Sequence, residues 1–463
     1  MISEVRRSPL RGVAWFAAFA LAPVGALAAC GGDDTPARLH EPAASKEPDA
    51  EAGTTDGPLP DARGVFDPKD EPVTCEAAPC ATQIVAGDEH FCARISDGTV
   101  RCWGENGHGQ LGVEQDSPSD AGLPSVTGLS KVTQISAAGR TTCARTDDGA
   151  ISCWGGNEHG QLGRSLDPPT DEDPHPVPGP VAIGAAARVD VGHRSVCAIT
   201  AAGAVSCWGN DENAQLARGE PGGPGLPPAP AQLDVVVRRT AAGMDTGFAI
   251  DETGALFSWG AVAGPFGVLS GRVSSITPNP VPGHVQELAS VTSFAVSGHT
   301  PGSLPPPGGL PGEPGPPSQH ACAVSGGDVY CWGKSERGAL GSGLPDPILP
   351  LPTLARLGTT AYAQQISAGG ETTCVRLTDG KIACAGENVR GQLGNGKAGP
   401  FASEFGTALT LTGRAVQVAV AKESVCALLQ GGTVACWGSN AHGELGLGTR
   451  DDDPHPSATK VAF

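Results

Sequence analysis

The sequence predicts an all-β protein: a seven-bladed β-propeller of four-stranded antiparallel blades, preceded by a disordered N-terminal tether. Six pairs of cysteines recur along the 463 residues with a spacing of ten, once nine, and Trp-Gly directly follows five of the second cysteines. A seventh segment keeps the spacing without thiols, with Phe248, Ser258 and Trp259 in the corresponding places. Successive segments start 51, 54, 51, 74, 52 and 52 residues apart, a period typical of propellers, solenoids and arrays.

The first thirty residues predict export. Three arginines precede an apolar run from Gly12 to Ala29, which leads into Cys30. This segment is similar to a bacterial lipoprotein signal; a retained transmembrane anchor is the alternative, although Pro23 and Gly25 interrupt a run of marginal length. The resemblance to the lipobox implies that Cys30 becomes the mature N-terminus and carries lipid. The chain is therefore expected in the bacterial cell envelope, at either the inner or the outer membrane.

A linker and a folded body are expected after the signal. Residues 31–74 are rich in Pro, Ala, Asp, Glu and Gly, so they bury too little apolar surface to fold and are predicted to be disordered. The body spans residues 75–463 and begins with a tight loop enclosed by Cys75 and Cys80. The formal net charge of −19 argues against binding to nucleic acid or to anionic lipid, because both surfaces are negatively charged.

The cysteine spacing fits β-hairpins. If Cys92 and Cys102 are directly opposed, a three-residue loop, Ser96-Asp97-Gly98, remains between the strands, and such loops require glycine at the last place. Glycine stands there in every ten-spaced segment. The nine-spaced pair, Cys322 and Cys331, leaves the two-residue loop Gly326-Gly327, which suits a type I′ turn.

These hairpins predict disulfides. Opposed residues lie about 4.5–5.5 Å apart at Cα, within the reach of a disulfide. A zinc site would instead need two close pairs to converge on one ion, whereas these pairs recur about fifty residues apart. Apart from Cys30, fourteen cysteines remain, and an even number in an exported chain fits complete oxidation. The predicted disulfides are Cys75-Cys80, Cys92-Cys102, Cys143-Cys153, Cys197-Cys207, Cys322-Cys331, Cys374-Cys384 and Cys426-Cys436.

Four short strands are expected in each unit. The first resembles residues 134–137, the cysteine hairpin supplies the second and third, and the fourth follows a proline, as in residues 124–128 or 352–357. Cysteine and tryptophan are neighbours on the third strand and must face opposite sides of the sheet. Both sides must be covered, which blades around an axis achieve. The tryptophans are therefore predicted to pack between blades.

One unit shows a family resemblance most completely. It contains Ile135-Ser136-Ala137-Ala138-Gly139, then Cys143-Ala144, Cys153-Trp154-Gly155 and the segment Asn157 to Gly163, which closes with Gly-Gln-Leu-Gly. These residues resemble the repeat of the regulator of chromosome condensation family. The resemblance covers nearly the whole body, residues 82–463, and implies a seven-bladed propeller.

The family fixes the function less firmly than the fold. Its founding eukaryotic members are nuclear, bind nucleosomes and catalyse guanine-nucleotide exchange on a small GTPase. No position of this chain matches the exchange residues well enough to be assigned that role. A secreted bacterial relative of similar architecture inhibits β-lactamase through one propeller face, and this precedent implies protein binding.

The candidate binding residues follow the first strand of each unit. They vary between units while their neighbours barely change, which is how a repeated scaffold would encode a specific surface; unselected drift on an exposed rim is the alternative. If the strands run outward from the axis in chain order, these loops share one face with the third-to-fourth-strand loops. The candidates are Asp88, Glu89, His90, Arg140, His193, Arg194, Met244, Asp245, His299, Glu371, Lys422 and Glu423.

An insertion rich in Pro and Gly, residues 300–318, interrupts the fifth unit on that same face. It is either a partner-binding arm of polyproline type or a tolerated disordered insertion. Two acidic clusters, Asp167 with residues 171–173 and residues 451–453, offer oxygens for calcium. Prolines interrupt the first cluster and the second is expected in a loose loop, so solvated charge is the expected state. The histidines show no metal-ligand spacing, so we expect no metal ion and no cofactor.

No catalytic motif is evident in the sequence, and we expect a non-enzymatic, monomeric envelope lipoprotein that binds an unidentified protein or surface polymer. One alternative is a propeller enzyme acting on envelope glycans, which would need paired carboxylates about 5–9 Å apart at the axial mouth. Exchange-factor-like or enzyme-inhibitor activity is a further alternative by family analogy.

Overall fold

The computed structural model describes residues 66–463, except residues 70, 115–122, 165–166, 262–267, 274–276, 286–287, 298–299, 303–314 and 345–347. The predicted signal, Cys30 and most of the predicted linker lie outside this part of the chain. Within it, seven antiparallel sheets follow one another along the sequence and form the seven blades of a β-propeller. The single helical element is a 3-10 turn at Val268–Ser270, and no helix of the described residues could span a membrane.

The strands of the first four blades have the following bounds. Blade 1 contains β1 (Ala81–Ala86), β2 (His90–Ile95) and β3 (Val100–Gly104); blade 2 contains β4 (Val132–Ala138), β5 (Thr141–Thr146), β6 (Ile151–Asn157) and β7 (Asp171–Pro180); blade 3 contains β8 (Arg188–Val191), β9 (Ser195–Ile199), β10 (Val205–Gly209) and β11 (Leu226–Pro230); blade 4 contains β12 (Val237–Ala242), β13 (Thr246–Asp251), β14 (Leu256–Gly260) and β15 (Asn279–His284).

The last three blades follow the same plan. Blade 5 contains β16 (Val291–Val296), β17 (Thr300–Gly302), β18 (Gly315–Ser325), β19 (Asp328–Lys334) and β20 (Ile348–Leu354); blade 6 contains β21 (Ala363–Gly369), β22 (Thr372–Leu377), β23 (Ile382–Gly386) and β24 (Ala402–Thr407); blade 7 contains β25 (Ala415–Val420), β26 (Ser424–Leu429), β27 (Val434–Asn440) and β28 (Asp451–Lys460).

Two outer strands differ from the prediction. In blade 1, the predicted fourth strand at residues 124–128 is reduced to one isolated bridge between Arg101 and Ser125 in the described residues. In blade 5, the outer strand is β20, which begins at Ile348 and not at Pro352. Proline provides no backbone N–H for the ladder, so proline-rich outer strands are poorly marked in the sequence.

The strands run outward from the axis in chain order, as expected. The first strand of every blade lines a central axial cavity. The turns between the first and second strands lie on the same face as the connections between the third and fourth strands, because Arg390 and His442 of those connections reach Glu423 and Glu89 of the turns. We call this the loop face, and the opposite one, which carries the cysteine-hairpin turns, the hairpin face.

All seven predicted disulfides are present. In the six hairpins the paired cysteines are directly opposed, as Cys92 and Cys102 are. Their Cα atoms are 4.1 Å apart, which is closer than expected, because they occupy a non-hydrogen-bonded pair of the ladder. The hairpin loops have the predicted glycine conformations: φ is +82° at Gly98, +60° at Gly326 and +88° at Gly327.

The tryptophans pack between blades, as predicted. The indole of Trp154 is fully buried, and its Nε1 donates to the carbonyl oxygen of Gln110 in the preceding blade at 2.9 Å. Five other tryptophans repeat this bond, and that of Trp103 to the Glu444 carbonyl joins blade 1 to blade 7. Blade 6 has alanine in place of tryptophan, and Phe405 of its outer strand packs there instead.

The Gly-Gln-Leu-Gly motif builds this contact. Gln161 accepts a hydrogen bond from the backbone N–H of His159 through Oε1 and from the indole of Trp208 through its carbonyl oxygen. Gly163 has φ +61°, and a Cβ atom there would lie 2.5 Å from the Trp208 indole nitrogen. The motif is therefore required by packing between blades.

Glutamine side chains join the innermost strands around the axis. Gln134 in blade 2 donates to the carbonyl oxygen of Val189 in blade 3 at 2.7 Å and accepts from the N–H of the same residue at 3.0 Å. Gln83 and Gln365 make the same two-bond contact with Ile135 and Val418. We call this contact the glutamine clamp.

The ring is closed between blades 7 and 1 without exchange of strands. Gln417 accepts the N–H of Ile84 at 2.9 Å. The preceding N-terminal strap, residues 66–69 and 71–80, crosses the hairpin face. Its Phe66 packs on Tyr362, its Glu71 pairs with Arg414, and its residues 74 and 76 bond to the blade 7 turn at residues 430–431. Several strap residues were assigned to the linker by sequence, yet they pack against the body.

Candidate functional site

The candidate binding loops meet around the axial mouth on the loop face. The backbone N–H of Lys422 donates to the carbonyl oxygen of Asp88 at 2.7 Å, and the N–H of Asp88 donates to the carbonyl oxygen of Gly139 at 2.8 Å. His193 Nε2 lies 3.1 Å from Asp88 Oδ1. The turns of blades 7, 1, 2 and 3 therefore form a linked chain along one side of the mouth.

Most of the charged candidates are paired with a neighbouring blade. Lys422 Nζ lies 3.3 Å from Glu89 Oε1, and Arg194 lies 3.3 Å from Asp245. Arg140 is an exception: it pairs within its own blade with Glu158 at 3.0 Å, and more than half of its side chain is exposed. Burial raises the pKa of Asp88, but the adjacent His193 outweighs this effect, and the pKa is below its usual value. The loop face thus presents a mixed, internally paired set of charges.

Three of the predicted surface residues are buried. His90 is inaccessible, and its Nε2 lies 2.8 Å from Thr142 Oγ1 of blade 2; burial lowers its pKa to about 4. Asp245 is buried beside Arg194. Glu371 is buried and accepts a hydrogen bond from Ser335 Oγ at 2.8 Å, and burial raises its pKa. These three are packing residues between blades and not part of an exposed docking surface.

His299 lies outside the described residues, and so does the tip of the insertion, residues 303–314. The base of the insertion forms two paired strands, with Thr300 opposite Ser318 and Gly302 opposite Gly315. This pairing lengthens the inner part of blade 5 on the loop face. The insertion therefore begins as a hairpin beside the axial mouth.

The axial cavity has a volume of about 530 Å³. Its wall consists of the seven first strands, and Glu71, Pro72 and Val73 of the strap line it as well. Polar side chains dominate, including the clamp glutamines. The oxygen and nitrogen of Gln83 and Gln134 are occupied by backbone groups of the next blade.

Each described carboxylate on the cavity wall is paired with a basic side chain. Glu71, Asp88 and Asp190 line the cavity, and each is bonded to a base: Arg414, His193 and Arg188, respectively. The hydrogen bond from Arg414 lowers the pKa of Glu71. A glycosidase acid needs a raised pKa, and the described carboxylates with a raised pKa, such as Glu371, do not line the cavity.

Residues 171–173 and 451–453 of the acidic clusters lie in the outer strands β7 and β28, so the second cluster is not in the loose loop that was expected. Asp451 in β28 accepts from Asn440 Nδ2 at 2.8 Å and lies 2.7 Å from His455 Nε2. Asp171 in β7 makes the same two contacts with Asn157 and His175. No group of three or more His, Cys, Asp or Glu in the described residues could hold a metal ion.

Sequence reasoning missed two residues of the cavity wall. Arg188 and Arg239 stand where blades 1, 2, 6 and 7 have the clamp glutamine, nine residues before the first cysteine or its counterpart. Both line the cavity. Alignment of the seven units on their hairpins would have revealed the replacement of glutamine by arginine, because this position is glutamine in four units and arginine only in these two.

Comparison with known proteins identifies the repeat. Profiles of the regulator of chromosome condensation (RCC1) repeat match residues 81–110, 132–161 and 363–392, and residues 97–145 and 326–376. The ultraviolet-B receptor UVR8 of Arabidopsis thaliana is 27% identical over 81% of this chain and 80% of its own length. The secretion-regulating guanine nucleotide exchange factor of Bos taurus is 26% identical over 82% and 79%.

Solved structures agree with the fold. Prp20p of Saccharomyces cerevisiae, whose structure was described with its binding to Gsp1p and histones, superposes with a TM-score of 0.62 at 16% identity, over 83% of this chain and 88% of that one. Human WBSCR16 superposes with a TM-score of 0.58 at 20% identity, over 74% and 85%. At these identities the likeness establishes the fold alone.

Proposed function

We propose that this chain, a seven-bladed propeller built from regulator of chromosome condensation repeats, is an exported, lipid-anchored scaffold whose loop face binds another protein or a surface polymer. One observation carries the proposal. The contacts that build the ring repeat from blade to blade, whereas the loop-face residues four places before the first hairpin cysteine differ: Asp88, Gly139, His193 and Lys422. The next position differs as well and carries Glu89, Arg140 or Arg194. A repeated scaffold with a variable rim is the arrangement in which loops encode specificity.

The relatives support protein binding in general terms. The bovine relative is by name a guanine nucleotide exchange factor, and the yeast propeller was studied for binding Gsp1p and histones. The net charge of −19 makes a nucleic-acid partner unsuitable for this chain. Exchange activity itself has no assigned residues here, so the proposal is limited to binding.

The docking proposal is tested by capture with a matched pair of charge reversals. Residues 60–463, which form one compact unit, are produced oxidised and used to capture partners from envelope extract. Arg140→Glu changes the loop face, and Lys381→Glu makes the same charge change near a hairpin turn; both side chains are more than half exposed. A specific partner should be lost with Arg140→Glu and retained with Lys381→Glu. Capture of nothing specific, or equal loss with both variants, contradicts the proposal.

The lipid anchor is tested separately with the full chain. Cys30→Ser should abolish incorporation of labelled fatty acid and release the protein from the membrane fraction. Cys75→Ser serves as the control, because it removes a cysteine without touching the lipobox. Retention of the Cys30→Ser protein in the membrane would instead support a transmembrane anchor.

A further inference from the structure

The outer strand of blade 5 exposes an unusual number of apolar side chains. β20 has the sequence Ile-Leu-Pro-Leu-Pro-Thr-Leu, without a charged residue. The exposed fractions are 60% for Ile348, 38% for Leu351 and 56% for Leu354, and Leu344, just before the strand, is 55% exposed. We call these four side chains the apolar edge.

The other outer strands of the described residues lack such an edge. The strands β7 and β15 each expose one large apolar side chain, and β11, β24 and β28 expose none. Single apolar side chains are normal on a protein surface, whereas several on one element mark a contact surface. The apolar edge is therefore the part of the outer rim that calls for an explanation.

The apolar edge suits contact through side chains and not the addition of another strand. Pro350 and Pro352 lack the N–H group that an added strand would need as a donor. Leu349, between the exposed residues, packs inward against the core and holds β20 in place. The seven residues of β20 span about 20 Å, so the exposed side chains extend along the outer side of the blade.

The N-terminal strap begins beside this edge. A Cβ atom added to Gly327, in the hairpin turn of blade 5, would lie 2.8 Å from the ring of Phe66. Phe66 and Leu349 of β20 pack against the same core cluster. Leu354 is at this end of the strand, because it stands opposite Tyr330, close after the turn. The tether that precedes residue 66 therefore joins the body next to the apolar edge.

Charge separates the apolar edge from the far side of the ring. The outer strand of blade 2 begins with three acidic residues, 171–173, and that of blade 7 begins with residues 451–453, which are also acidic. Blade 2 is three places from blade 5, which is as far apart as two blades of seven can be. An anionic membrane surface repels the acidic strands but not an uncharged one. The rim of blade 5 is thus the side that this acidic protein can turn toward a membrane.

We infer that the apolar edge docks on the lipid surface to which the chain is tethered, so that the propeller stands with the rim of blade 5 against the bilayer. The inference rests on the lipid anchor proposed above, because four partly exposed aliphatic side chains bury too little apolar area for firm binding alone. A flexible tether raises the effective concentration of the second contact to the order of millimolar, and a weak contact then suffices. In this orientation the loop face stays open to a partner.

The test uses residues 31–463 with an N-terminal hexahistidine tag in place of the lipid. Vesicles of phosphatidylethanolamine and phosphatidylglycerol contain a small share of nickel-chelating lipid, and flotation at increasing vesicle concentration gives the apparent dissociation constant. Ile348→Ser with Leu354→Ser removes apolar area without a change in charge and should weaken binding about tenfold, since both side chains lose apolar contact. Val177→Ser with Leu409→Ser, at side chains that are 54% and 73% exposed elsewhere, is the matched control and should bind like the parent.

Weaker binding of the edge variant than of both the parent and the control supports the inference, and equal binding of all three proteins overturns it. A dimer that forms without vesicles and is lost in the edge variant, measured by sedimentation, also overturns it, because a second copy then covers the edge. Urea midpoints equal to that of the parent exclude misfolding of the variants.

The two proposals fail separately. The tag replaces Cys30 in this assay, so a negative result with Cys30→Ser leaves the vesicle measurement valid. Equal binding of the three tagged proteins, in turn, leaves the lipid anchor untouched.

Discussion

The two halves of the ring hold the same backbone with different side chains. In blades 6, 7, 1 and 2, glutamine stands at every clamp position and a disulfide in every hairpin. In blades 3, 4 and 5, the clamp residue is Arg188, Arg239 or Ser293, blade 4 has no disulfide, and blade 5 carries the insertion. We call these the regular half and the divergent half.

The difference shows what the ring requires. The ring keeps an acceptor for the inner-strand N–H of the next blade in two of the divergent blades: Asp190 supplies it in blade 3 and Ser293 in blade 5, where its hydroxyl accepts from the N–H of Ile366 at 3.1 Å. It also needs a filled hairpin centre, which Phe248 provides in blade 4 by packing on Phe294 at a centroid distance of 4.9 Å. The fold therefore constrains the hydrogen bonds and the filled volume at these positions more than the residue type, so the side chains of the divergent half are free to differ.

The largest predicted effect concerns the hairpin centres. Replacing Cys143 and Cys153 together by alanine in the regular half should lower the free energy of unfolding by about 3 kcal/mol, because the closed loop no longer restrains the unfolded chain. Phe248→Ala in the divergent half should cost about 3–4 kcal/mol through the cavity it leaves. Urea unfolding with and without reductant measures both changes. In reductant, Phe248→Ala should still lower the free energy of unfolding relative to the parent, whereas the double cysteine variant should be about as stable as the reduced parent. The opposite result contradicts the comparison.

The glutamine clamp should contribute less. Gln134→Ala removes an acceptor and a donor from Val189, and we expect a loss of about 1–2 kcal/mol in the free energy of unfolding, since water from the cavity replaces part of the contact. Gln134→Glu keeps an acceptor and should lie between alanine and the parent. Equal stability of all three proteins in urea would show that the clamp does not hold the ring.

Buried histidines in both halves should make stability depend on pH. Burial lowers the pKa of His90 to about 4 and that of His320 to about 3, below the unfolded value near 6.5. The unfolded chain therefore binds more protons below pH 6.5, and the stability present above that pH is lost as the pH falls toward 4. At pH 5.5 the loss should be about 1 kcal/mol for each histidine.

Urea midpoints between pH 7.5 and 5 test this dependence. His90→Gln in blade 1 and His320→Gln in blade 5 should each make the urea midpoint depend less on pH, and by a similar amount. The bonds to Thr142 and Thr373 are equivalent in the two blades. If the urea midpoints of the parent and the double variant changed equally with pH, the two histidines would not be the cause of the pH dependence.

The smallest effect on stability is expected at the divergent clamp. Arg188→Gln should change the free energy of unfolding by less than about 0.5 kcal/mol, because Asp190 already accepts the Thr240 N–H and glutamine fits this position elsewhere. Asp190→Asn is the informative companion and should be clearly more destabilising. If Arg188→Gln were the more harmful of the two, the arginine would be structural.

The repeat made most of the fold predictable. Hairpin spacing alone fixes the opposed cysteines, the loop glycines and the two faces of the third strand, and all of these are local. The partly exposed loop residues such as Arg140 were predictable in the same way, because they follow a fixed position of the unit. Burial of His90 was not, since its neighbour Thr142 comes from the next blade, 52 residues later.

Ring closure was equally hidden. The strap reads as linker because residues 66–74 contain few apolar side chains, yet Gln364 donates to the carbonyl oxygens of Asp67 and Lys69, nearly three hundred residues away in sequence. The Asp451 cluster reads as a loop because proline and acidic residues are rare in strands, but outer strands expose one edge and tolerate both. Contacts between distant units leave no local pattern.

The strap also determines how load enters the molecule. A pull transmitted from the N-terminal side first meets Phe66 on Tyr362, then the Glu71–Arg414 ion pair, and then the backbone bond from residue 74 to blade 7. These links stand in series ahead of β1, and the Cys75–Cys80 bridge follows them. If the chain is anchored at its N-terminus, a pulling force would therefore break these strap contacts before it reaches β1.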